Sequence, residues 1–132
     1  MALIWLKRIY RTAYGGFFAF YGVLIWIEFL FGIGQRPTAS PERAELFWRA
    51  LDAAIFPGPL AGAAFVAGGI SLFTDRTAPL GVIILWPVVA FIFFYHLTLT
   101  GMVAWGTAWL IGLIGLTWLY RDAFRPLVGL NR

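Results

Sequence analysis

Between Leu80 and Tyr120 the chain contains no lysine, arginine, aspartate or glutamate. A helix crosses the ~30 Å hydrocarbon core of a bilayer with about 20 residues, at a rise of ~1.5 Å each. The uncharged run is therefore too long for one crossing and suits two. Thr98-Leu99-Thr100-Gly101 is the turn-like tetrapeptide inside it, so spans are expected at about 80–99 and about 102–120, with Pro87 inside the first. Composition agrees: of 132 residues, 61% are hydrophobic, 19% aromatic and only 12% charged, too little polar surface to cover a water-soluble core.

Two more spans follow from the remainder. One runs from about Ala13 to Ile33 and carries a single charge, Glu28. The other covers about 58–73 after Pro57-Gly58-Pro59 and is rich in small residues, including Gly62, Ala63, Ala64, Ala67, Gly68 and Gly69. Small side chains let helix backbones approach closely in lipid, which places this span at the centre of a bundle. Gly58-x-x-x-Gly62 and Ala108-x-x-x-Gly112 fit the same spacing.

Between the first two spans, Ser40-Pro41-Glu42-Arg43 reads as a helix start, with serine as N-cap and proline at the first helical position. Leu46, Phe47, Ala50, Leu51 and Ala54 then recur at helical spacing against Glu42, Glu45, Arg49 and Asp52. This amphipathic helix, about Pro41 to Phe56, is expected to lie in the membrane interface or cap the bundle. The segment Met1 to Arg11 does not read as a cleaved leader and is expected to form an interfacial turn or short helix.

Positive residues set orientation. Lys7, Arg8, Arg11, Arg76, Arg121, Arg125 and Arg132 fall on one side, whereas Arg36, Arg43 and Arg49 are offset by nearby acids. Both termini are therefore expected to be cytoplasmic. Trp5, Tyr10, Tyr14, Trp118 and Tyr120 would then mark the inner interface, and Trp48, Tyr95 and Trp105 the outer one.

Charge and residue types exclude several classes. Cysteine is absent, which removes disulfides, thiolate catalysis and thiolate metal or iron–sulfur sites. One histidine and six carboxylates leave little for a metal cage, and no cofactor signature is evident. The net charge of +4 is spread over ends and loops, without the basic and aromatic cluster that tracks nucleic acid. No nucleophile–base set or phosphate loop is visible, so the chain is not read as catalytic on its own. Its partners are expected to be the lipid bilayer and other membrane-protein subunits.

Glu28 and His96 stand out because ionisable groups at membrane depth are costly unless paired or wetted. Counted from Arg11 and Arg76, they sit at similar depth in the outer half, close to Thr98 and Thr100. Together these four could form a polar pocket for a quinone headgroup or a proton. The alternative is that His96 caps a helix end while Glu28 snorkels outward or meets a loop arginine. Phe91, Phe93, Phe94 and Tyr95 could line a ligand, though lipid and core contacts are the simpler role.

The second half also resembles a known family. Pro57-Gly58-Pro59-Leu60-Ala61-Gly62, Gly68-Gly69-Ile70-Ser71-Leu72-Phe73, Arg76, Pro79-Leu80-Gly81, Pro87, Phe94-Tyr95-His96-Leu97 and Tyr120-Arg121-Asp122-Ala123-Phe124-Arg125-Pro126-Leu127 follow in the order seen in DoxX-like proteins. These are small bacterial four-helix membrane proteins with a histidine near the end of the third helix, where His96 stands. The resemblance covers about Leu60 to Leu127. It implies a four-helix bundle in the bacterial inner membrane and a link to quinone redox complexes, because the family's namesake is similar to a subunit of a thiosulfate:quinone oxidoreductase.

The sequence thus predicts an all-α integral membrane four-helix bundle, both termini cytoplasmic, with an interfacial helix in its first external loop. The expected role is an accessory subunit of a redox or energy-transducing membrane complex. The alternative is a quinone-interacting protein acting through His96 and Glu28.

Overall fold

The computed structural model describes residues 1–33 and 41–129, and these are helical with short turns between. The helices are α1 (Ala2–Phe31), α2 (Glu42–Ala53), α3 (Pro57–Ser71), α4 (Ala78–Tyr95), α5 (Val103–Leu119) and the short α6 (Arg121–Phe124). A π-helical turn, His96–Thr100, extends α4, and a 3₁₀ turn, Arg125–Val128, follows α6. The proposed N-cap Ser40 lies outside the described residues; α2 begins at Glu42 with Pro41 at its N-cap position.

Two helical stretches, Ile4–Phe31 and Ala78–Thr100, are long and apolar enough to cross a membrane. Helices α2 and α3 pass that test only as a pair, and they are bent by 93°. Alone, the 15 residues of α3 reach about 22 Å, and the 17 residues of α5 about 26 Å. Met1 to Arg11 does not form a separate element. With no glycine or proline before Gly15, nothing interrupts helical hydrogen bonding, and α1 runs unbroken for 30 residues.

Sequential packing follows α1–α3–α4–α5, with α2 against α3 and the π turn. The α1–α3 contact is set by glycines one heptad apart on each helix. A Cβ at Gly15 would lie 2.5 Å from Gly69 O, and one at Gly22 would lie 2.8 Å from Gly62 O. The pairs run in opposite order along the two helices, so α1 and α3 are antiparallel with backbones in near contact. The seven-residue spacing matches the 3.5-residue period of close-packed helix pairs. On its other face α3 meets α4, where a Cβ at Gly81 would sit 2.7 Å from Gly68 O.

The expected small-residue motifs are therefore only half used. Gly62 packs on Ile25 and Trp26, but Gly58 faces open space. Gly112 takes the Tyr14 ring, while Ala108 is exposed.

Phe18, Leu72, Val82, Leu85, Val89, Leu113 and Leu116 fill the interior with no exposed surface. Tyr14 and Tyr120 pack into this core. Tyr10 donates its hydroxyl hydrogen bond to Gly112 O, and Tyr14 donates to Trp109 O at 2.8 Å. These bonds hold α1 to α5 and explain why the two tyrosines face inward. Trp5, Trp105 and Trp118 do point outward.

Candidate functional site

Three of the four residues chosen from the sequence, His96, Thr98 and Thr100, lie in the π turn. A π turn widens the helix by one residue per hydrogen bond, and such turns recur at functional positions. Here it ends at Gly101, whose φ of 74° is the left-handed conformation glycine adopts without Cβ strain. His96 Nδ1 lies 2.8 Å from Thr100 Oγ1, and the same hydroxyl accepts the Met102 N–H at 3.2 Å. The backbone of α5 passes close by, since a Cβ at Gly106 would meet His96 Cβ at 3.1 Å.

Thr98 does not join that pair. Its hydroxyl donates to Phe94 O at 2.7 Å, one turn back on the exposed side. Glu28 is half-buried near the end of α1, a helix that packs chiefly on α3, whereas the π turn packs on α4, α5 and α2. Among the described residues no hydrogen bond or ion pair joins Glu28 to His96. The structure thus brings His96 and Thr100 together and leaves Glu28 and Thr98 on other contacts.

Helix α2 covers this end. Arg43 Nε donates to Leu99 O at 3.2 Å, and the Trp48 indole donates to Tyr95 Oη at 2.7 Å. Phe47 packs its ring near Phe91 and Tyr95, with centroids 5.9 and 6.0 Å away. Arg43 therefore satisfies a carbonyl of the π turn, beyond the solvated role its acidic neighbours imply. Arg49 pairs with Glu45 on the exposed face.

A second polar cluster, at the opposite end, was not legible as a unit. Arg11 is buried within α1, with Nη1 2.6 Å from Asp75 Oδ1 and 3.1 Å from Tyr120 Oη. Its Nη2 donates to Phe73 O at 3.1 Å, a carbonyl left over beyond the end of α3. Tyr120 donates to Asp75 Oδ1 at 2.7 Å, and Lys7 Nζ lies 3.6 Å from the same oxygen and 4.1 Å from the Tyr120 ring centre.

The Tyr120 hydroxyl is the largest influence on Asp75 and holds its carboxyl below the ordinary carboxylate value. Partial burial opposes that shift, while the charges of Arg11 and Lys7 reinforce it. The first helix and the end of α5 meet the turn before α4 at this carboxylate. Asp75, an acid beside Arg76 in a short turn, is the one signal of this cluster in the sequence, and its partners are distant along the chain.

This end also collects charge of one sign. Among the described residues, Lys7, Arg8, Arg11, Arg76, Arg121 and Arg125 stand with Asp75 and Asp122, whereas the α2 end has Arg43 and Arg49 with Glu28, Glu42, Glu45 and Asp52; Arg36 and Arg132 lie outside the described residues. Among the described residues no three His, Asp or Glu side chains converge as metal ligands would. Shallow surface depressions lie on the outer face of α1 and on α2, and neither is lined by Glu28 or His96. Compared with known proteins, the chain matches no family model, and neither a curated protein nor a solved structure is significantly similar to it.

Proposed function

We propose that the chain is a four-span bundle of the bacterial cytoplasmic membrane, with α1, α3, α4 and α5 as spans. Both termini are cytoplasmic, because the end rich in arginine and lysine is retained on that side. Helix α2 then lies at the outer interface. The protein acts as an accessory subunit of a larger redox or energy-transducing complex, a role that its small size, lack of redox ligands and large apolar outer faces motivate. It packs against partner subunits, seals them to lipid and shapes a quinone path.

One observation carries this reading. Polar side chains between the helices are used to join helices: Tyr10 and Tyr14 to α5, Trp86 to Thr117 at 3.0 Å, and Arg11 to Asp75 and Tyr120. Outward faces instead present large apolar groups such as Phe20, Phe31, Phe94, Ile111 and Trp118. That is the profile of a packing element. Gently solubilised native membranes run on a native gel test it: co-migration with a larger complex is expected, and a band only at free-subunit mass contradicts it.

The π turn favours a second reading, a quinone-interacting protein using His96 with Thr100, Thr98 and Glu28. Quinone retained by the purified wild type and lost in both His96→Ala and Glu28→Gln would support it. Equal quinone content in all three preparations would remove it.

A further inference from the structure

We propose that the outer face of α1 near its N-terminus seats one anionic phospholipid, with the phosphate on Arg8 and Thr12 and an acyl chain along Ile9 and Ala13. A shallow, open depression lies there on one face of α1, lined by Trp5, Arg8, Ile9, Thr12 and Ala13. These positions recur at helical spacing, so they form one stripe on one face. Polarity is graded along it. Trp5 and Arg8 form the rim, Thr12 supplies a hydroxyl one turn deeper, and the floor beyond is small and apolar. Gly16 continues the floor, with nothing within 4 Å of where a Cβ would sit. From Arg8 to Gly16 the stripe descends about 12 Å toward the membrane centre, at ~1.5 Å per residue.

Charge selects the occupant. Lys7 and Arg11 both engage Asp75, but Arg8 forms no ion pair among the described residues and only stacks on Trp5, 5.7 Å from its ring centre. Its guanidinium donors thus face the headgroup region without an acid, beside an exposed indole of the kind that anchors at that level. A phosphodiester supplies the missing anion and accepts the guanidinium fork. A second copy in a two-fold contact would instead bring a second Arg8 into the same patch and no acid with it, since such interfaces join the same surface of both copies.

The inference rests on the membrane-spanning part of the proposed function and not on the accessory role. Carbonate extraction of native membranes separates the two failures. A chain released by carbonate fails the membrane reading, whereas a retained chain without lipid selectivity fails only this inference.

Native mass spectrometry of the detergent-purified full chain, titrated with phosphatidylglycerol or phosphatidylcholine, tests the site. One phosphatidylglycerol is expected to remain bound in preference to phosphatidylcholine. Arg8→Gln should weaken it about fivefold, the value of one basic residue at an anionic surface. Ala13→Phe should abolish it by filling the floor, while Arg121→Gln, on the Arg–Trp stack with Trp118, leaves it unchanged. Arg8 and Ala13 are exposed, so both variants should keep the wild-type elution volume and melting temperature. Equal retention of the two lipids overturns the proposal. So does unchanged phosphatidylglycerol binding in Arg8→Gln or Ala13→Phe, or a dimer that Ala13→Phe dissociates.

Discussion

Arg11 Nη1 lies 2.6 Å from Asp75 Oδ1, the arginine side chain 6% exposed and the carboxylate 53% exposed. The pair spans from the first helix to the turn before α4, and Tyr120 ties the end of α5 to the same oxygen. A buried guanidinium without its anion is costly, because its hydration is lost and not replaced.

Asp75→Asn should therefore destabilise the protein more than an exposed pair would, by about 1–3 kcal/mol. That is less than the ~3–5 kcal/mol for a fully buried pair, since water already screens the carboxylate. Thermal unfolding in detergent measures it. The double variant Arg11→Met with Asp75→Asn should recover part of the loss, because no buried charge then stands unpaired. Simple additivity of the two single changes would show that the residues are not coupled.

The same pair makes a pH prediction. The folded Asp75 carboxyl is held below its ordinary value of 3.8. Its stabilising contribution is thus complete above 3.8 and is lost as pH falls from there through the lower folded value. Melting temperature should drop more steeply in acid for the wild type than for Asp75→Asn. Parallel profiles would contradict the assignment.

Adjacent glycines on α1 should respond oppositely. Gly15→Ala places a methyl 2.5 Å from Gly69 O and 2.8 Å from Leu72 Cβ, so α1 and α3 must separate, at a cost of about 1–3 kcal/mol. Gly16→Ala meets nothing within 4 Å and should stabilise by about 0.5–1 kcal/mol through higher helix propensity. Melting temperatures of the two variants decide the matter. A tolerated Gly15→Ala would mean that the helices are not in backbone contact.

His96→Ala removes the bond to Thr100 and should lower stability by about 0.5–1.5 kcal/mol. Under the accessory-subunit reading it leaves co-migration with the larger complex intact on a native gel. Loss of that association without loss of stability would instead give His96 a direct role.

Helix positions were legible because apolar runs and proline–glycine breaks are local signals. The expected span at about 58–73 and Pro57–Ser71 nearly coincide, as do the span at about 102–120 and Val103–Leu119. The turn expected at Thr98 to Gly101 is instead a π turn from His96 closed by Gly101, a difference of hydrogen-bond register that composition does not encode. Tyr10 and Tyr14 read as interfacial because tyrosine is amphipathic; their hydroxyls bond carbonyls of α5, and that of Tyr120 bonds Asp75, partners the sequence does not name. Gly15 and Gly22, with Gly62 and Gly69, carried a readable heptad that the shorter four-residue spacing obscured. The Arg11, Asp75 and Tyr120 cluster joins residues far apart in the chain, so it emerges only once the helices are paired.

The most direct test of the membrane arrangement uses the absence of cysteine, which lets single introduced thiols be read without background. Thr74→Cys and Met102→Cys place one thiol in each turn flanking α4 and its π extension. Labelling of whole cells with a membrane-impermeant maleimide should modify Met102→Cys directly and Thr74→Cys only after the membrane is permeabilised. Modification of both thiols in intact cells, or of Thr74→Cys alone, would contradict a bundle that crosses the membrane with cytoplasmic ends.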